Sequence, residues 1–264
     1  MPAARKRTRT YDSDKIRVAV LAQFRAVHDA VRALSDEQLA RPAHLGDWTV
    51  RELAAHITMA VETVSRNLDR DEPAKADLAL VEWPFATAAR AGDIAEGTRA
   101  LAREHPDLDA LFARTEERLV ERLAAAGDGR LLATRTGAMR LADYLVTRTV
   151  ELVLHTDDLN RAAGIEVPLD RQALAACTRL LADALAAKVP GGSTEVRIPP
   201  YAVVQCVAGP RHTRGTPPNV VETDPLTWIR LATGRTEWAT EVAQAHVRAS
   251  GERADLSEFL PLLG

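Results

Sequence analysis

A glutamate in the middle of an apolar helix is the most restrictive feature of this sequence. From about Arg140 to Ala163 the chain reads as one long helix, with Leu141, Leu145, Leu152 and Leu159 along it and Gly164 as its stop. Glu151 sits among Val150, Leu152, Val153 and Leu154. A carboxylate in such surroundings is costly unless it is paired or bound to a cation. His155 follows four residues later, one turn along the same face, and Tyr144, Thr147 and Arg148 lie on or near that face. Any fold for this chain has to give Glu151 a partner.

Three further long helices are legible upstream. Ile16, Val20, Phe24, Val27 and Val31 recur at spacings of three and four and predict a helix over about 14–33. Residues 35–47, broken by Pro42 and Gly46, read as loop. Thr49 and Glu52 form a T-x-x-E capping box that starts a helix running to about Leu68, and Asp71-Glu72-Pro73 ends it. Trp83-Pro84-Phe85 reads as an aromatic loop or turn, followed by a shorter helix over 92–103. Pro106 opens a helix over 107–125, closed by Gly127-Asp128-Gly129. Four long helices joined by loops predict a four-helix bundle. With aromatic residues at only 4%, its core has to be built mostly from Ala, Leu and Val, which favour helix.

His56 falls seven residues after Thr49, with Leu53, Met59 and Ala60 as turn neighbours, so it is expected to point inward. Ligands from facing helices can converge inside a bundle. Two imidazoles and a carboxylate are a common catalytic zinc set that leaves a fourth position open, and the same donors suit iron or nickel. By pattern alone, such a Glu-x-x-x-His pair is more often an ordinary i,i+4 ion pair or hydrogen bond, and a lone inward histidine such as His56 more often a satisfied core residue.

The texture changes after Gly164, where a linker over 165–169 precedes a helix over 170–188. Strands are expected over 195–198, 201–207, 219–222 and 245–249, with helices over 225–233, 236–244 and 254–262. The expected organisation is a disordered basic arm over 1–13, a metal-binding helical bundle over 14–165 and an α+β domain over 166–264.

Several classes are excluded. The net charge is −3, so there is no global basic field for nucleic acid. Arg5, Lys6, Arg7 and Arg9 are not followed by an apolar segment, so the arm is not a signal peptide. No run of about 18 apolar residues exists, and no membrane span is expected. Cys177 and Cys206 form no CxxC pair and read as reduced, buried thiols of a cytoplasmic protein. Neither sits in a nucleophile motif, so any thiol chemistry calls for a thiol supplied from outside.

The run Asp47-Trp48-Thr49-Val50-Arg51-Glu52-Leu53-Ala54-Ala55-His56-Ile57 resembles the signature of DinB-like metalloenzymes, and more closely that of the mycothiol-dependent maleylpyruvate isomerase family. The second signature of that family, Glu-x-x-x-His followed by an aspartate, is matched by Glu151 to His155 with Asp157 and Asp158. This resemblance covers roughly residues 14–165. It implies a DinB-like four-helix bundle in which His56, Glu151 and His155 hold a divalent metal, usually zinc. Asp158, three residues past His155, is expected either to accept the proton of an imidazole N–H or to be a solvated carboxylate at the helix end. The resemblance further implies mycothiol as co-substrate. The activity is then that of an isomerase or transferase acting on a small electrophilic acid. A metal with an open position holds a thiol as thiolate, the nucleophile for addition to an activated double bond.

The second half resembles the sterol-carrier-protein-like fold, and specifically the actinobacterial sterol carrier family. The pattern is Asp224-Pro225 with Trp228, then Gly234, a short strand, Ser250-Gly251 and Asp255-Leu256. It implies a small α+β domain and, as an alternative function, a non-enzymatic carrier for lipid or another apolar molecule. The short sheet and the few large apolar residues predict no large lipid cavity. Arg211, His212 and Arg214 form a basic loop cluster able to recognise a substrate or thiol carboxylate, or simply to be solvated. No ligand of matching spacing accompanies His212. His28, His44, His105 and His246 read as surface or structural, and Trp83 and Trp228 as packing residues. The expected partners are the small substrate and the thiol, on a monomer or homodimer. Catalytic residues beyond the metal set are not legible.

Overall fold

The computed structural model describes residues 9–87, 91–209 and 217–263. Its four longest N-terminal helices are α1 (Ser13–Arg32), α3 (Val50–Leu68), α6 (Leu108–Ala125) and α7 (Leu141–Ala163). They pack as a ring in the order α1, α6, α3, α7. The apolar rows seen in the sequence face the centre: Val20, Phe24 and Val27 of α1, Leu53, Ile57, Val61 and Val64 of α3, and Phe112 and Leu119 of α6 are buried. Each such Leu, Ile or Phe contributes roughly 1.5–3 kcal/mol by leaving water. Phe24 stacks on Phe112 with ring centroids 5.0 Å apart.

The termini of these helices follow their caps. Thr49 Oγ1 accepts the Glu52 N–H and the Glu52 carboxylate accepts the Thr49 N–H at 2.7 Å. Asp12 and Asp107 cap α1 and α6 through their side chains. Gly164 closes α7 at φ 69°, a left-handed turn that glycine adopts without a Cβ clash.

α7 is buried on nearly all sides, because α1, α3 and a further helix, α8 (Arg171–Lys188), surround it. That explains why its apolar residues do not form one stripe. α8 packs on α7 and α1 with one side and on the C-terminal sheet and α9 (Pro225–Ala232) with the other. The sheet has the order β4-β3-β5-β6, from β3 (Thr194–Ile198), β4 (Ala202–Cys206), β5 (Val220–Thr223) and β6 (Val247–Ser250). β3 runs antiparallel to β4 and parallel to β5, and β5 is antiparallel to β6. Val196, Ile198 and Val221 of the strands are buried, as are Trp228 and Ile229 of α9.

Some expectations differ from the fold. Residues 35–47 are not all loop: Ser35 and Gln38 form a second capping box on the short helix α2 (Asp36–Leu39). Trp83-Pro84-Phe85 opens the short helix α4 (Trp83–Thr87) rather than a loop, and the helix that follows, α5 (Ala91–Glu104), packs on α3. A hairpin of β1 (Leu131–Ala133) and β2 (Ala138–Arg140) precedes α7. Its two strands of three residues are too short to show a period of two. The expected closing helix over 254–262 reduces to a single 3₁₀ turn, Ser257–Phe259, because Pro261 cannot donate to a helix. α10 (Trp238–Ala243) is shorter than its expected span. The continuous apolar run of β4 alternates in burial, since as an edge strand it covers α8 with one face and leaves Val203 exposed.

Residues 1–8 of the basic arm lie outside the described residues. Arg9 is ordered by Asp183 of α8 at 2.8 Å, and Asp12 already caps α1. No described helix is long and apolar enough to cross a membrane.

Candidate metal centre

α3 and α7 are neighbours in the ring, and their inward faces bring His56, Glu151 and His155 together. One ligand atom from each lies within 4.8 Å of the others. The His56 and His155 Nε2 atoms are 3.1 Å apart, and their rings meet edge to face. Glu151 Oε2 stands 3.4 Å from His155 Nε2 and 3.7 Å from His56 Nε2. In a tetrahedral zinc site with bonds of about 2.0–2.2 Å, donor atoms are about 3.3 Å apart. The three observed separations bracket that value.

The far sides of the rings are held as well. His155 Nδ1 lies 3.1 Å from Asp158 Oδ2, and His56 Nδ1 lies 3.3 Å from the buried Thr98 hydroxyl of α5. A carboxylate only accepts, so a neutral His155 carries its proton on Nδ1 and presents a bare lone pair at Nε2. The His56 tautomer whose Nδ1 proton is directed to Thr98 brings two lone pairs and a carboxylate oxygen to one small space. A cation satisfies that arrangement, and these donors fit a divalent ion.

Charges around the site reinforce it. Asp158 is almost fully buried and is itself bound by Arg161 at 2.7 Å and Arg235 at 3.2 Å. Burial opposes its charge, but His155 and Arg235 outweigh burial and hold its carboxyl well below the usual carboxylate range. Burial likewise opposes ionisation of Glu151, and the neighbouring His155 and His56 with the charge of Arg148 overturn it, holding its carboxyl well below its ordinary value. Burial pushes His56 down. At His155 burial acts the same way, yet Asp158 and Glu151 prevail and raise it. The Arg148 guanidinium is fixed by the Ala60 carbonyl at 3.0 Å and the Thr147 hydroxyl, and lies over the Tyr144 ring.

The triad opens into a cavity of about 500 Å³. Its walls include Trp48, Met59, Trp83 and Ile94, with Arg148 and Arg235 near the triad. Trp48, from the same run as the capping box, tilts against His56 with centroids 5.0 Å apart.

The structure brings His56, Glu151, His155 and Asp158 together, and adds two contacts not expected from the sequence, Thr98 to His56 and Arg235 to Asp158. A threonine in a helix carries no signal of this role, and Arg235 reaches Asp158 only through the docking of the C-terminal half. Arg211, His212 and Arg214 lie outside the described residues. His28 and His246 bind Asp109 and Glu241 at 2.7 and 2.8 Å. Trp228 is a core residue, and Trp83, equally buried, also lines the cavity.

Two family models match the chain. One, described as the mycothiol maleylpyruvate isomerase N-terminal domain, spans residues 20–160, and the other, described as a bacterial SCP ortholog, spans residues 170–262. No curated protein sequence matches. Among solved structures, the fold is shared with the crystal structure of the mycothiol-dependent maleylpyruvate isomerase, at 14% identity, a TM-score of 0.61, and coverage of 96% of this chain and 97% of that one. A histidine-to-alanine variant of that isomerase aligns over the same shares at 14% identity and a TM-score of 0.60. The chain thus belongs to the mycothiol maleylpyruvate isomerase N-terminal domain family and carries a bacterial SCP domain behind its helical bundle.

Proposed function

We propose that this protein is a divalent-metal enzyme that uses a low-molecular-weight thiol, mycothiol, to isomerise or modify a small electrophilic acid. His56, Glu151 and His155 are the proposed ligands and zinc the proposed ion. The observation that carries this reading is the pair of imidazole Nε2 atoms 3.1 Å apart beside the Glu151 carboxylate, all three residues lining one cavity. An ion held there supplies Lewis acidity and lowers the pKa of a thiol at its open position. Asp158 and Thr98 orient the two imidazoles. Arg148 and Arg235, whose guanidinium nitrogens are bound by Ala60 and Thr147 and by Asp158 and Thr233, supply positive charge near an acid group of the substrate, and the Trp48 and Trp83 rings limit water around the reacting atoms. Cys177 is buried with its pKa raised, first by burial and then by the charge of Glu151, so it offers no thiolate of its own. That supports an external thiol. A reduced, cytoplasmic setting goes with this reading.

Metal analysis of the purified full chain is the first test. About one divalent ion per chain is expected, lost in His56→Ala. A wild-type protein without stoichiometric metal overturns the proposal. Consumption of mycothiol with a panel of electrophilic acids then tests the reaction. The SCP match supports a second reading, a carrier of apolar molecules. Lipid co-purifying with a chain that consumes no thiol decides for the carrier.

A further inference from the structure

The cavity has a second, basic end that the triad does not use. His56, Thr63 and Asn67 follow one line along α3 at i, i+7 and i+11, and all three line the cavity. Eleven residues of helix span roughly 16 Å. Between the ends the wall is largely apolar, with Met59, Ala60, Trp83 and Ile94. At the far end Asn67 is joined by Arg66, Arg70 and, from the turn between β1 and β2, Arg135.

These side chains keep most of their donors free, although Arg66 feels the charge of Glu62 one turn away on α3. Among the described residues, Arg66 and Arg135 have no hydrogen-bond or ion-pair partner, and Arg70 makes one contact, to the Ala133 carbonyl at 3.3 Å. The nearby carboxylates have direct partners elsewhere. Glu62 and Asp69 bind Arg118, Asp69 also binds Arg122, Glu72 binds Arg130 and the Leu131 N–H, and Asp77 accepts the Ala138 N–H. Asn67 is 5% exposed, lines the cavity, and its side chain bonds to no described residue. Its amide is therefore open to a ligand or water in the cavity.

Resting on the metal-centred reading of the cavity but replacing its small substrate by a longer one, we infer that it is a two-ended site for an elongated acid with an apolar middle. The electrophilic end lies at the triad, and a carboxylate or phosphate is bound by Arg66, Arg70, Arg135 and Asn67 roughly 16 Å away. Guanidinium groups suit either oxyanion through paired N–H donors, and the Asn67 amide adds one more. The apolar middle matches the wall that such a chain must cross.

Calorimetric titration of the purified full chain with dodecanoate, dodecyl phosphate, methyl dodecanoate and butanoate tests this. Dodecanoate or dodecyl phosphate is expected to bind at least about tenfold tighter than the neutral ester, and far tighter than butanoate. The tighter of the two names the oxyanion. In the Arg66→Gln/Arg135→Gln double variant, anion affinity is expected to fall about tenfold or more, with ester affinity and metal content unchanged. Both positions lack structural partners, so the variant is expected to fold. Equal binding of ester and anion, equal binding of butanoate and dodecanoate, or no loss in the double variant overturns the inference. The two readings fail separately. Charge-selective binding in a chain without a stoichiometric ion sinks the metal and keeps the subsite, whereas a metal-loaded chain indifferent to ligand charge does the reverse.

Discussion

His155 Nδ1 lies 3.1 Å from the Asp158 carboxylate, one turn further along α7, and that carboxylate is gripped from the C-terminal half by Arg235. The imidazole is therefore oriented by a charge that is itself held in place. Asp158→Asn keeps the shape and removes the charge. Metal affinity is expected to fall about 10- to 100-fold. A competition titration with a chelator measures it, and an unchanged circular dichroism spectrum shows that the fold survives. Wild-type affinity in this variant contradicts the role given to Asp158.

The two histidines set the pH dependence of the metal-free protein. Free imidazoles titrate at about 6.5. Burial lowers His56, whereas Asp158 and Glu151 overcome burial and raise His155, so between the two folded values the pair holds one proton. Below about pH 6.5 the unfolded chain binds more protons than the folded pair, and stability is lost as the pH falls through the depressed His56 value. Above it the unfolded chain binds fewer, and stability is lost as the pH rises through the raised His155 value. The pair's contribution peaks near the free-imidazole value. A bound ion removes the need for the His155 proton, so the rise in Tm caused by metal is expected to be larger at pH 8 than at pH 6. Thermal melts with and without metal at both pH values check this, and the opposite order contradicts it.

Legibility in the sequence followed the range of the interactions. Glu151 and His155 are joined by helical spacing, and Thr49 with Glu52 fixes where α3 begins, so both helices and their inward residues could be read locally. The meeting of α3 with α7 is a tertiary fact, and the family signature supplied it rather than any pattern of periodicity. The β1–β2 hairpin could not be read because two three-residue strands leave no alternation to detect. Arg235 is separated from Asp158 by 77 positions, and nothing near Gly234 marks it as bound for the carboxylate beside His155. The basic end of the cavity was invisible for the same reason: Arg66 and Arg135 belong to different elements and look like ordinary surface charges.

Asp157, beside Asp158 on α7, makes the other bridge to the C-terminal half. Arg230 of α9 reaches it with two bonds of 2.8 and 2.6 Å. Asp157 is nearly buried, but the Arg230 side chain is 30% exposed, and Arg161 remains 3.4 Å from Asp157 as a partial substitute. Solvent screening and that substitute reduce the effect below the 3–5 kcal/mol typical of breaking a fully buried pair. Arg230→Ala is expected to cost about 1–3 kcal/mol. Urea unfolding measures it, and a double-mutant cycle with Asp157→Ala should return a coupling well above the level of an exposed ion pair. Strict additivity in that cycle contradicts a direct bond.

Thr98 gives the cleanest test of the lone-pair argument, because its hydroxyl can be deleted with almost no change of shape. In the wild type the buried hydroxyl sits 3.3 Å from His56 Nδ1, and a proton directed there leaves Nε2 bare for an ion. Thr98→Val removes the acceptor. The Nδ1–H is then buried without a partner, and the ring gains by moving its proton to Nε2, where it competes with metal. Thr98 is a neutral partner at a long distance, so the loss of metal affinity is expected to be smaller than for Asp158→Asn, about tenfold at most. The melting temperature of the metal-free protein should change little, since the substitution leaves no cavity in the α3–α5 contact. Chelator competition and nitrogen-15 chemical shifts of the His56 ring report the two effects separately. A variant that retains wild-type affinity and the Nδ1–H tautomer shows that the ring is oriented by Trp48 and packing alone.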